Sequence, residues 1–163
     1  MRKFLFILVI VVLCVFPNLA SSQAVLRVLA IGDSIVEHGS VFIERLQNRL
    51  GVNGFSVRAA GRRGWTSTAW RNHAAEWRSV CRGYDWVIIS LGTNDKIRHI
   101  DPATTRNNIE YLSYLITNDF TKVYVMVPPS EVAPAVGLAR DGLHLSGDGS
   151  EEYARRISLV LAE

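Results

Sequence analysis

Short apolar runs alternate with amphipathic segments of helical length through most of this chain, and that alternation leaves few folds open. Val25 to Ile31, Phe55 to Ala59, Trp86 to Leu91 and Val123 to Val127 read as four strands. Between them, Phe42, Leu46 and Leu50 recur at a spacing of four in a helix that stops near Gly51. Trp70, Ala74, Trp77 and Cys81 share one face of a helix beginning near Ser67. Asp101-Pro102 supplies a cap and first-turn pair for a third helix, with Ile109, Leu112 and Ile116 inward. Ser146 caps a last helix whose buried face is expected to hold Tyr153, Ile157, Val160 and Leu161. The rhythm is β-α-β-α-β-α-β-α, so the fold class is α/β with a mostly parallel sheet and helices on both of its faces.

The N-terminus stands outside that rhythm. Arg2 and Lys3 precede an unbroken apolar run from Phe4 to Phe16, which Pro17 ends and small residues follow. This is the pattern of a secretory signal peptide, residues 1–22, with cleavage between residues 20 and 24. The rival reading, a membrane anchor, needs roughly 20 apolar residues, more than the run provides. A single domain at 23–163 is expected, secreted or periplasmic, with no stable membrane span once the signal is gone. Removing Arg2 and Lys3 lowers the formal charge from +3 to about +1, so nucleic acid is not an expected partner. Cys14 leaves with the signal, and Cys81 alone cannot form an internal disulfide. Cys14 also lacks the preceding small residues expected of a lipoprotein cysteine.

In parallel α/β sheets ligands bind beyond the carboxyl ends of the strands. Ser34 follows the first strand, Gly61 and Gly64 the second and Asn94 the third, while His144 lies past the fourth. Ser34 is a candidate nucleophile if a base takes its proton, and His144 is the best base on offer. Asp141, three residues earlier, can reach its imidazole through a turn. The Ser34 N–H, the Gly64 N–H and the Asn94 amide are candidate donors to an oxyanion. Each residue also has an ordinary reading as a turn or cap. His38, in the loop after Ser34, could line a pocket. Trp65, Arg62 and Arg63 flank the glycine block and are possible substrate contacts, with core packing for the tryptophan and a solvated surface for the arginines as the plainer readings. No histidines and carboxylates show metal-ligand spacing, so no metal or other cofactor is expected.

These segments resemble the blocks of the SGNH hydrolases, the GDSL-type lipases and esterases. Ile31-Gly32-Asp33-Ser34, Gly61-Arg62-Arg63-Gly64-Trp65-Thr66, Leu91-Gly92-Thr93-Asn94-Asp95 and Asp141-Gly142-Leu143-His144-Leu145-Ser146 match in order, with Gly149 and Tyr153-Ala154 after the last. The resemblance spans the whole mature chain. It implies a three-layer α/β/α sandwich with a flavodoxin-like sheet, a Ser34-His144-Asp141 triad, no metal, and hydrolysis of esters or thioesters. The stretch from Val127 to Asp141 is short and contains Pro128, Pro129 and Pro134, where relatives place a further helix or strand. A sheet of four to five strands is therefore expected, the fifth a short element around Ala135 to Leu138. No insertion is long enough for a substantial lid. The leading expectation is a secreted serine esterase acting on a small-molecule or glycan ester, with a short acyl group such as O-acetyl. A lysophospholipase or acyl thioesterase, and a non-catalytic envelope- or carbohydrate-binding module on the same fold, are the alternatives.

Overall fold

Successive residues of a strand point to opposite faces, and the first strand, β1 (Leu26–Gly32), is apolar on both. Val28 and Ala30 enter one core cluster; Leu29 and Ile31 enter a second. Such a strand must be covered on both sides, which places it inside a parallel sheet. The structure is a computed structural model describing residues 24–37, 39–117, 121–126 and 144–162. With β2 (Phe55–Gly61), β3 (Trp86–Ser90) and β4 (Lys122–Met126) it forms an all-parallel four-stranded sheet in the order β2-β1-β3-β4. The expected fifth element around Ala135 to Leu138 lies outside the described residues.

Two layers of helices cover the sheet. On one face lie α1 (Val41–Gly51) and the final helix α6 (Gly147–Leu161), contributing Phe42, Ile43, Leu46 and Leu50 from the first and Tyr153, Ala154, Ile157 and Leu161 from the second. Phe42 and Tyr153 meet edge to face with ring centroids 6.5 Å apart. On the other face lie α2 (Ser67–Asn72), α3 (Ala74–Cys81) and α5 (Pro102–Thr117), around Trp70, Trp77, Cys81, Leu112 and Ile116. The short α4 (Thr93–Ile97) follows β3. The result is the three-layer sandwich that the alternation of the sequence requires.

Three local expectations differ from the structure. The helix expected to start near Ser67 is broken at His73, whose backbone (φ −105°, ψ 18°) is not helical. On one continuous helix Trp70 and Trp77 would stand about 10 Å apart along the axis. The break lets their ring centroids meet at 4.1 Å and sets the His73 ring 4.8 Å from that of Trp65. Val160 is 38% exposed rather than buried, because the buried stripe of α6 is centred between Ile157 and Leu161 and leaves it at the rim. Helix α4 stands where the apolar pattern marks no element.

Candidate active site

The order of the strands puts the ends of β1 and β3 side by side, and the chain leaves them in different directions. This is the switch point at which an open α/β sheet forms a crevice. Gly32 closes β1 at φ +154°. A Cβ there would stand 2.0 Å from the Ser90 carbonyl oxygen of β3, so only glycine allows this approach. Asp33 then donates its N–H to that same carbonyl, and its Oδ1 accepts the Ile35 N–H at 3.0 Å. These bonds bend the chain into one 3-10 turn, Ser34–Val36, with Ser34 at its head.

Ser34 Oγ lies 2.9 Å from His144 Nε2 across 110 residues of sequence. His144 is held from the C-terminal side. Leu145 packs against the core cluster of α1 and α6, and the Ser146 hydroxyl caps α6 by accepting the Gly149 N–H at 3.0 Å. Asp141 and His38 lie outside the described residues, so the contact expected between Asp141 and His144 does too.

The glycine block returns to the nucleophile turn through the Arg62 N–H, which donates to the Gly32 carbonyl at 2.7 Å. Gly64 takes φ +75°, a conformation that strains any residue with a Cβ. Two side chains hold the carbonyls of this turn: Arg98 donates to Gly64 and Asn94 Nδ2 to Trp65 at 3.0 Å. An amide nitrogen has two hydrogens. The bond to Trp65 engages one and fixes the orientation of the amide, leaving the other for a ligand.

Ser34, Gly64, Asn94 and His144 line one cleft of about 570 Å³, together with Glu37, Gly39, Ser40 and Arg63. Among the described residues no apolar side chain borders it. Arg63, of the expected substrate contacts, reaches this cleft, where it pairs with Glu37 at 2.6 Å. Arg62 and Trp65 do not line it. The Arg62 guanidinium stands over Trp77 and Trp65, 5.3 and 6.0 Å from the ring centroids, and Trp65 packs on the second core cluster. A hollow of about 600 Å³ on the far side of α4, bordered by Lys96, His99 and Arg106, contains neither Ser34 nor His144.

Two buried carboxyls support the site. Asp95, 1% exposed, accepts the Ser67 N–H at 2.9 Å, the Ser67 hydroxyl and the Thr105 hydroxyl at 3.2 Å. Asn108 extends the network to Ser67 and Thr68 and accepts from Arg71. Residues of α2, α4 and α5 are thereby joined around the turn that carries Asn94. Asp33 is also 1% exposed, and burial pushes its carboxyl up to about 6. The Ile35 N–H, the charge of His144 and the nearby Thr93 hydroxyl oppose the rise. Thr93 eases the charge without completing a well-formed hydrogen bond, and Oδ2 has no partner among the described residues. The sequence marked neither supporting role: Asp33 and Asp95 stood inside motif blocks, and Asn108 stood among polar residues of α5. Among the described residues no group of three or more His, Cys, Asp or Glu side chains could hold a metal ion.

The arrangement pairs a hydroxyl with an imidazole and sets a glycine turn and an oriented amide beside them. The family described as GDSL-like Lipase/Acylhydrolase matches residues 30–162. No curated protein matches the chain. Solved structures share its fold: TesA, at 21% identity and a TM-score of 0.65, with 83% of this chain and 97% of that one covered. A carbohydrate esterase of family 3 from Talaromyces cellulolyticus shares 18% identity with a TM-score of 0.69, covering 84% of this chain and 96% of the other. An acetyl esterase variant with acetate ion shares 15% identity with a TM-score of 0.66, covering 84% and 96%.

Proposed function

The chain belongs to the GDSL-like lipase/acylhydrolase family, and from that premise we propose that it is an exported serine esterase that removes short acyl groups from polar alcohols. The observation that carries the reading is the 2.9 Å contact between Ser34 Oγ and His144 Nε2 in a cleft shared with Gly64 and Asn94. In this mechanism His144 takes the Ser34 proton as Oγ attacks the ester carbonyl carbon. The oxyanion is held by the Ser34 N–H, the Gly64 N–H and the second hydrogen of the Asn94 amide. As the tetrahedral species collapses, the carbon–oxygen bond to the alcohol breaks and His144 protonates the departing oxygen. Water, deprotonated by His144, then attacks the acyl-serine; the bond to Ser34 Oγ breaks, His144 returns its proton to that oxygen, and the acid is released. Asp141 is assigned the role of holding the imidazole tautomer and stabilising the imidazolium.

The polar lining of the cleft supports a hydroxyl-rich alcohol, such as an O-acetylated sugar, over a long lipid chain. The carbohydrate esterase and acetyl esterase that share the fold make such esters a sensible first panel. Hydrolysis of p-nitrophenyl acetate should depend on Ser34, with Ser34→Ala losing nearly all turnover. Asn94→Ala should lower kcat by roughly a hundredfold or more while KM changes much less. A folded protein with no Ser34-dependent turnover on any short ester would turn the reading toward a binding module. If Asn94→Ala altered KM alone, Asn94 would be a binding group and its oxyanion role would fail.

A further inference from the structure

The Ser34–His144 pair borders a second space. On the side toward α1 and α6 lies a crevice of about 130 Å³, walled by Ile35, Val41, Phe42 and Leu145, with Ser150 of α6 the one polar residue that it does not share with the larger cleft. Its four apolar walls set it apart from the larger cleft, which has charged and small polar walls and no apolar side chain among the described residues. Ser34, Ser40 and His144 belong to both. The reacting hydroxyl therefore stands on a boundary, with an apolar recess on one side and a polar opening on the other.

An ester is divided in the same way at its carbonyl carbon. With the carbonyl oxygen turned to Gly64 and Asn94, the two other substituents must leave in different directions. We propose that the crevice between Ile35, Val41, Phe42 and Leu145 is the acyl subsite and that the polar cleft takes the alcohol. This rests on the esterase reading above and adds a limit on chain length. An apolar cavity of about 150 Å³ takes a benzene molecule, six carbon atoms. A crevice of about 130 Å³ holds slightly less, room for acetyl to about butyryl chains before a longer one must extend past the half-exposed wall at Val41. Two of the other walls are core: Phe42 is 2% exposed and Ile35 4%. Neither can withdraw without opening the contacts of α1 and β1.

Val41 is the adjustable wall. It is the first residue of α1 and 49% exposed, so its size can change with little cost to the fold. The test measures kcat/KM for p-nitrophenyl acetate, butyrate and octanoate with the wild-type chain, Val41→Phe and Val41→Ala, each checked for folding by circular dichroism. The wild-type chain should favour acetate and butyrate over octanoate by at least about tenfold. Val41→Phe should lower the butyrate-to-acetate ratio about tenfold. Val41→Ala should raise the longer chains relative to acetate. Ser34-dependent turnover with ratios unmoved by either variant, or wild-type octanoate hydrolysis as fast as acetate, would place the acyl chain elsewhere and overturn this assignment alone. Absence of Ser34-dependent turnover on all three esters would instead overturn the esterase reading and the subsite with it.

Discussion

Asp33 sits beside Ser34, the proposed nucleophile, yet its side chain faces inward, and the cost of that position can be measured. Burial pushes its carboxyl up to about 6, above the ordinary carboxyl value of 3.8. A carboxyl raised on folding binds more protons in the folded than in the unfolded chain between those two values. Its contribution to stability is therefore greatest below about pH 4 and is lost as pH rises through about 6. The Asp33→Asn side chain keeps an oxygen for the Ile35 N–H and removes the charge. Relative to wild type it should be more stable above about pH 6, by up to about 3 kcal/mol for a shift of this size. The advantage should shrink as pH falls toward 4. Urea unfolding of both chains at pH 4, 5, 6 and 7 checks this; a difference that did not vary with pH would mean that Asp33 is not held protonated by its surroundings. Cys81 shows the same physics without the chemistry. Burial alone pushes its thiol up to about 12, so it serves as a small apolar residue in α3.

Among the elements, α4 joins the sheet to the site. It carries Asn94 on the cleft side and, one residue on, Asp95 on the buried side, tied to Ser67 at the head of α2 and to Thr105 in α5. Asp95→Ala should strand the Ser67 N–H and hydroxyl and lower stability by about 2–3 kcal/mol. It should also lower kcat more than KM, because Asn94 loses its fixed placement. Thermal unfolding and steady-state kinetics on one preparation would test both effects, and unchanged stability would remove Asp95 from its structural role. The strands and long helices were legible because apolar periodicity reports burial directly: both faces of β1 and β3, and the stripes of α1 and α5, follow it. Helix α4 was not, since its five residues are too few to show a period and Asp95 is buried through polar partners. The break at His73 was hidden for another reason. Trp70 and Trp77 keep an apolar spacing whether or not the helix between them is continuous. At the site, the sequence order pointed to Ser34, Gly64, Asn94 and His144, and the structure brings all four to one cleft. It could not show that Trp65 turns to the core while only its carbonyl meets Asn94, because the identity of a side chain does not fix which part of the residue makes the contact.

At the scale of the whole molecule, β1 begins at Leu26, beyond the expected cleavage region, so loss of the leader removes no described strand or helix. Among the described residues no helix is long and apolar enough to cross a membrane. If the chain is exported as proposed, intact-mass measurement of the secreted protein should find a new N-terminus between Ser21 and Val25. Recovery of the Met1 form from the membrane fraction would make it an anchored protein instead. The distance in sequence between Ser34 and His144, 110 residues, has a consequence for when such a protein is active. Ser34 is synthesised well before His144, and the two meet only when α6 has docked on α1. A nascent chain, or one threading unfolded through a translocation channel, carries a serine with no more reactivity than any other. Under the proposed mechanism the completed fold is thus its own safety catch, and hydrolysis would start only where folding finishes.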